Sequence, residues 1–149
     1  MRLSLQVQYA ICGVFDLAYN GQGSPVQIRV ISERQAIPAR YLEQIFQRLR
    51  RAEVVSSKRG PGGGYTLARP PAEITLRDVV AAVEGPLEEA LAMEAPEAGA
   101  SSLRPDFLWG ELAERMAALL DETSLEDLCR AAARADVARA HPDAPMYFI

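Results

Sequence analysis

The segment that most constrains the fold is residues 58–64, which read Lys-Arg-Gly-Pro-Gly-Gly-Gly. Two short stretches that favour strands flank it, Val-Val-Ser-Ser at 54–57 and Tyr-Thr-Leu-Ala at 65–68. Because glycine and proline mark turns between such stretches, the pattern predicts a β-hairpin over residues 54–68 with a basic tip. A nucleotide-binding loop is disfavoured, since no Gly-Lys-Ser/Thr follows and the next segment is a strand instead of a helix N-terminus.

Apolar residues at helical spacing predict three helices before this hairpin. The first begins at Ser4, a capping residue, and ends near Asn20 and Gly21. A short second helix contributes an apolar set of Val30, Ile31 and Ala36. The third covers residues 38–51, because proline is tolerated in a first helical turn, and its core face consists of Leu42, Ile45, Phe46 and Leu49. Two short helices joined by a tight turn indicate a helix-turn-helix.

The second half of the chain predicts further helices around an acidic loop. Thr75 with Asp78, and Ser124 with Asp127, are pairs that begin helices. Between them, residues 87–104 are acidic and rich in Ala, Gly and Ser, which indicates a loop, and Pro105 starts a longer helix. The apolar stripe of that helix consists of Phe107, Leu108, Leu112, Met116 and Leu119. We therefore divide the chain into residues 1–86, the loop 87–104 and a C-terminal part, 105–149.

Charge divides the chain in the same way. The whole protein has 149 residues and a formal net charge of −4. Residues 1–72 contain ten Lys or Arg against four Asp or Glu, whereas residues 73–149 contain six against sixteen. Such asymmetry points to a polyanionic partner for the basic half, despite the acidic total.

The third helix carries the residue types that read DNA bases. About 100° per residue places Arg40, Gln44, Gln47 and Arg51 opposite the core face, with Glu43 and Arg48 beside them. Arginine pairs with guanine, glutamine with adenine, and glutamate accepts from cytosine. A solvated amphipathic helix can show the same row. The basic hairpin that follows favours DNA, because Lys58 and Arg59 can contact phosphates while the glycines let the backbone approach.

Several motifs closely resemble the Rrf-two family of bacterial winged-helix repressors. They are Met-Arg-Leu-Ser at 1–4, Tyr-Ala at 9–10, Ile-Ser-Glu-Arg-Gln at 31–35, Tyr-Leu-Glu-Gln-Ile-Phe at 41–46 and, most specific, Arg-Gly-Pro-Gly-Gly-Gly-Tyr at 59–65. The resemblance runs from residue 1 to about 86 and resumes more weakly over 109–128. It implies a mainly α fold with a small β-hairpin wing: a winged helix-turn-helix DNA-binding domain plus a long dimerisation helix.

The resemblance also implies a homodimer that reads a palindromic operator in double-stranded DNA. The stripe from Phe107 to Leu119 is then the dimer contact. Arg40, Glu43 and Gln44 match the base-reading positions of the family, and Arg59 with its glycines matches the wing that enters the minor groove. The full candidate DNA-binding set is Arg2, Tyr9, Arg40, Tyr41, Glu43, Gln44, Gln47, Arg48, Arg51, Lys58, Arg59, Gly60, Gly62 and Gly63.

Sensing is where this sequence departs from the family. Many members hold an iron-sulfur cluster with three cysteines in the loop before the dimer helix, and counted from Trp109 those positions fall near Ala92, Ala98 and Leu103. We expect no cofactor and no metal, because the thiolates are absent. Cys12 is either a small core residue or a functional thiol, which would sense redox state or serve as a ligand donated from the first helix, as in some relatives. Cys129 favours the core, and His141 has no neighbouring ligands.

These observations predict a cytoplasmic transcription regulator without catalytic residues or a membrane segment. Its partners would be DNA, a second copy of the chain and a small-molecule or protein effector. The alternative is an interaction module in which the winged helix is vestigial. Such a module would dock a metabolic enzyme through the acidic half or through the apolar tail, residues 146–149.

Overall fold

A computed structural model of the chain describes residues 3–87, 89 and 104–141. Helices dominate and one antiparallel hairpin interrupts them, which confirms the predicted fold class. The elements are α1 (Leu5–Asn20), α2 (Ile28–Gln35), α3 (Ala39–Arg51), β1 (Val55–Lys58), β2 (Gly64–Leu67), a 3-10 turn (Pro71–Glu73), α4 (Leu76–Glu84), α5 (Phe107–Asp121) and α6 (Leu125–Arg134).

The helix starts follow the predicted capping chemistry. Ser4 Oγ accepts the Val7 N–H at 3.2 Å, and Thr75 and Ser124 each form a reciprocal capping box with the aspartate three residues later. Pro38 is the N-cap residue of α3, so the helix begins one residue later than predicted. These bonds satisfy backbone N–H groups that the first turn of a helix otherwise leaves without partners.

The turn between α2 and α3 depends on a residue in the left-handed conformation. Ala36 caps α2 with φ of +53°, and its N–H is bonded to the Ser32 carbonyl. Ser32 Oγ donates to the Ile37 carbonyl at 2.6 Å and tightens the same turn. The expectation that Ala36 belongs to an apolar set is wrong, because this turn leaves its side chain exposed.

Helix α1 is the centre of the core, since α2, α3, α4 and α6 all pack against it. Its last turn is buried from Asp16 to Asn20, so no face of the helix end remains in solvent. From α3, the predicted face of Leu42, Ile45, Phe46 and Leu49 is buried in the same core. Burial of these faces fixes the angle between the helices of the helix-turn-helix.

The hairpin pairs β1 with β2 in antiparallel register, from Val55 opposite Leu67 to Lys58 opposite Gly64. Val26 adds a third, one-residue segment to this sheet. Its N–H is bonded to the Tyr65 carbonyl at 2.9 Å, and its carbonyl accepts the Tyr65 N–H at 2.8 Å. This bridge, which no sequence pattern predicts, connects the hairpin to the segment before α2.

The C-terminal helices are joined to α4 by main-chain bonds. The Leu76 N–H is bonded to the Thr123 carbonyl at 2.9 Å, and the Leu125 N–H to the Ile74 carbonyl at 2.8 Å. Helix α5 packs against α4, and its buried residues are Ala113 and Ala117. Most of the predicted loop 87–104 lies outside the described residues. No helix of the described part is long and apolar enough to cross a membrane.

Candidate nucleic-acid interface

The solvent side of α3 presents the polar row that the sequence predicts. Opposite the buried face, five side chains are exposed, and we call them the reading face: Arg40, Glu43, Gln44, Gln47 and Arg51. The row contains two guanidinium groups, two amides and one carboxylate. It can therefore donate to guanine, make paired contacts with adenine and accept from cytosine in a major groove.

Two tyrosines lie beside the first turn of α3. Arg40 Nη2 donates to the Tyr41 hydroxyl at 3.0 Å, and its guanidinium lies 4.8 Å from the centre of the Tyr41 ring. The partly buried Tyr9 ring of α1 lies 6.3 Å from the Tyr41 ring. These contacts restrict the rotamers of Arg40, so less side-chain entropy remains to be lost when it binds a base.

Arg48 differs from the other predicted readers because it is bonded to the body of the protein. Its Nη1 donates to Gln6 Oε1 of α1 at 2.8 Å and to the Val83 carbonyl of α4 at 3.3 Å. The guanidinium thus links α3 to the two helices that support it. Arg2, another predicted contact, lies outside the described residues.

The wing comprises residues 54–68. Its tip combines exposed charged side chains with backbone conformations that favour glycine. Lys58, Arg59, Gly60 and Gly62 are exposed, whereas Gly63 is buried. Gly60 and Gly62 have φ of +89° and +70°, and the Gly63 N–H is bonded to the Gly60 carbonyl at 2.9 Å. A Cβ on Gly63 would collide with the carbonyl oxygens of Lys58 and Gly60. The turn therefore requires glycine for its shape.

The root of the wing is fixed to α3. The Tyr65 ring of β2 packs edge-on against Phe46 with ring centres 5.0 Å apart. Arg50 Nη1 of α3 donates to Ser57 Oγ of β1 at 3.3 Å. Aromatic packing on one side and a hydrogen bond on the other hold the hairpin in a defined position relative to the helix.

The predicted dimer stripe on α5 is largely uncovered in the single chain. Phe107, Leu112 and Leu119 are 77%, 41% and 64% exposed. Leu108 and Met116 are half-buried. Apolar side chains this exposed along one helix mark an interaction surface.

Both cysteines lie in environments that favour the protonated thiol. Half-buried Cys12 packs against the core, and burial raises the pKa of its thiol above 9.0. Burial raises the pKa of the Cys129 thiol to about 12. Because the thiolate is the reactive and metal-binding form, neither residue is activated in this structure. A redox role for Cys12 stays a hypothesis.

A buried carboxylate that the sequence analysis did not single out joins α1 to α2. Asp16 is fully buried and accepts hydrogen bonds from Arg34, Gln35 and Asn20 at 3.0 to 3.2 Å. Asn20 in turn accepts the Ala140 N–H at 2.8 Å, which attaches the segment after α6. The sequence signal was Asp16 and Asn20, two polar residues within an otherwise apolar helix end.

Comparison with known proteins places this geometry in a family. Residues 3–131 match the Rrf2 family, described as "Iron-dependent Transcriptional regulator". The HTH-type transcriptional regulator IscR of Xenorhabdus nematophila is 40% identical over 140 residues, which cover 93% of this chain and 85% of that protein.

Two solved structures of transcriptional regulators are also similar to this chain. CymR, the global cysteine regulator of B. subtilis, has a TM-score of 0.73 and 32% identity, and covers 88% of this chain and 98% of its own. T. potens IscR also has a TM-score of 0.73, with 31% identity, covering 95% of this chain and 96% of its own. The family and these relatives are transcriptional regulators, not enzymes.

The donors of this chain do not fit an iron-sulfur cluster held by three thiolates. The chain has two cysteines, and neither falls at Ala92, Ala98 or Leu103, the positions that the resemblance assigns to ligands. Cys129 is fully buried in the core, in surroundings that raise the pKa of its thiol. Residues 88, 90–103 and 142–149, which include part of the acidic half and the apolar tail of the enzyme-docking alternative, lie outside the described residues.

Proposed function

The chain belongs to the Rrf2 family of DNA-binding transcriptional regulators, and from this premise we propose that it is a homodimeric repressor of a palindromic operator. The observation that carries the proposal is the reading face on α3 together with the wing beside it. The helix would enter the major groove, and the wing would contact the backbone or the adjacent minor groove.

The chemistry of the reading face supports recognition of specific bases. Arg40, which Tyr41 holds by a hydrogen bond and by its ring, suits the paired acceptors of guanine. Glu43 suits a cytosine amino group, and Gln44 suits adenine. Lys58 and Arg59 are exposed on a turn whose glycines allow close approach, which suits phosphates and a narrow groove.

The exposed apolar stripe of α5 supports the dimer. Leu112 and Leu119 would pack against the same helix of a second copy, because they stay exposed although α5 packs against α4 and buries Ala113 and Ala117. A two-fold interface of this kind carries two reading faces, so the operator half-sites would lie about 34 Å apart or a multiple of it. Repression would follow because a dimer on its operator excludes other proteins from that DNA.

We further infer that regulation uses no three-cysteine cluster, since the chain carries two cysteines in total. The signal would then be a small-molecule or protein effector. An absorption spectrum of protein purified without oxygen tests this inference. A colourless protein that binds its operator agrees with it, whereas visible absorption that disappears with the iron contradicts it.

The decisive experiment selects genomic fragments with the purified protein and then compares two variants on the selected operator and on random DNA. Arg40→Ala should weaken operator binding by about 1 to 3 kcal/mol and relax one base position. Lys58→Ala should weaken binding to all DNA to a similar extent and reduce the salt dependence. If the two variants behave alike on both DNAs, or if no fragment is retained at low salt, the proposal is wrong.

A further inference from the structure

A cleft of about 460 Å³ lies between α2 and the tip of the wing. Four parts of the chain form its walls: the end of α1 with the segment that follows, one side of α2, the glycines of the wing tip and the segment after α6. The lining includes Gln27, Arg29, Arg34, Gly62, Gly63 and His141. None of these belongs to the reading face.

The lining favours an anion. Among the described residues that line the cleft there are two arginines and one histidine, and no aspartate or glutamate. The first turn of α2 adds the positive end of its dipole, and the Gln27 side chain makes no capping bond there. Arg34 is bonded to the buried Asp16 behind the wall, so Arg29 is the arginine that can exchange partners.

Arg29 can make that exchange at little cost. Its partner, Glu33, lies one helical turn away at 3.1 Å, and the two side chains are 73% and 64% exposed. Exposed pairs of this kind contribute little to the stability of the fold, because water screens the two charges. A phosphate group in the cleft, which accepts charge-assisted hydrogen bonds, would therefore compete well for the guanidinium.

The tail segment, residues 137–141, completes the cleft from the C-terminal half of the chain. The Tyr19 hydroxyl donates to the Val137 carbonyl at 2.9 Å, and the Ala140 N–H is bonded to Asn20 Oδ1 at 2.8 Å. The Arg139 guanidinium lies 5.5 Å from the centre of the Tyr19 ring. These contacts bring His141 to the cleft, where it forms part of the lining.

We propose that this cleft binds a backbone phosphate of DNA beside the wing, with Arg29 as its principal ligand and His141 as a ligand from the tail segment. The proposal rests on the proposed function, because the first helix of a helix-turn-helix crosses the DNA backbone while the wing contacts the neighbouring groove. The strand between those two contacts passes the mouth of the cleft. The tail of the acidic half thereby becomes part of the DNA interface.

The test compares Arg29→Ala with Arg130→Ala. Both arginines are exposed and each is paired with a glutamate one turn away on its helix, but Arg130 lies on α6. We expect Arg29→Ala to weaken binding to random DNA about three- to tenfold and to lower the salt slope by about one. His141→Ala should weaken it to a smaller extent. Arg130→Ala should bind like wild type, and thermal melting should show all three variants folded.

A methylphosphonate scan of the operator identifies the phosphate. A neutral linkage at one position beside the wing should weaken DNA binding by the wild-type protein but leave DNA binding by the Arg29→Ala variant unchanged. Equal losses for both proteins at every linkage would overturn the proposal. Inorganic phosphate, compared with chloride at equal ionic strength, distinguishes a free ligand: if millimolar phosphate raises the melting temperature of the DNA-free protein in an Arg29-dependent way while Arg29→Ala binds DNA like wild type, the proposal is overturned.

An Arg59→Ala variant separates this proposal from the proposed function. If Arg59→Ala weakens DNA binding and Arg29→Ala does not, the cleft is not a phosphate site although the wing binds DNA. If neither variant changes DNA binding, the winged-helix function itself is wrong, and the cleft proposal falls with it.

Discussion

The Asp16→Ala substitution removes a buried carboxylate and should destabilise the whole helix-turn-helix. Asp16 Oδ1 accepts from Asn20 Nδ2 at 3.1 Å and from Gln35 Nε2 at 3.0 Å, and Oδ2 accepts from Arg34 Nη1 at 3.2 Å. The carboxylate is fully buried, and the Arg34 side chain is 24% exposed. One group therefore joins three donors from α1 and α2.

The expected cost follows from what the substitution leaves behind. Removing one partner of a buried ion pair costs about 3 to 5 kcal/mol. The substitution would also remove the acceptor of the Asn20 amide. Because Asn20 is 8% exposed, water would replace that acceptor poorly, and the unsatisfied amide would cost about 1 to 3 kcal/mol. Arg34 keeps partial contact with solvent, which reduces its share. We therefore expect a loss of about 3 kcal/mol in the free energy of unfolding.

Urea denaturation at a fixed protein concentration measures this loss, because the stability of a dimer depends on concentration. The matched control is Glu33→Ala, which breaks the exposed pair with Arg29 on the same helix and should cost less than about 0.5 kcal/mol. A double variant, Asp16→Ala with Arg34→Ala, should cost clearly less than the sum of the two single losses. An Asp16→Ala variant as stable as the Glu33→Ala control would contradict this prediction.

Three further predictions concern other parts of the molecule. Gly13→Ala should lower the melting temperature by the equivalent of about 1 to 3 kcal/mol, because a Cβ would lie 2.6 Å from Phe46 Cε2; a higher melting temperature contradicts this. Leu119→Glu should yield monomers in sedimentation experiments, whereas Val137→Glu, exposed outside α5, should leave the dimer intact. At pH 8, Cys129 should react with a thiol reagent about a thousandfold more slowly than a free thiol, because a pKa of about 12 depletes the thiolate; urea should abolish the difference.

Local patterns were sufficient to predict most of the DNA-reading half. The spacing of Leu42, Ile45, Phe46 and Leu49 predicted which face of α3 is buried, and the opposite face followed from the helical period. The hairpin strands lie within one residue of the prediction, because the glycines between them leave little choice of turn. The Thr75 and Ser124 capping boxes were predictable because each of their hydrogen bonds joins residues only three positions apart.

The remaining features depend on contacts between distant residues. The pairing of Val26 with Tyr65, and the attachment of Ala140 to Asn20, leave no periodic signal in either partner. Asp16 is instructive. A helical projection of α1 that assumes a single solvent-exposed face would place Asp16 on that exposed face. Yet Leu17, Ala18 and Tyr19 follow in succession, and an apolar run of that width cannot lie on a single face. The run implies a helix end that neighbours surround, and a carboxylate there must be paired.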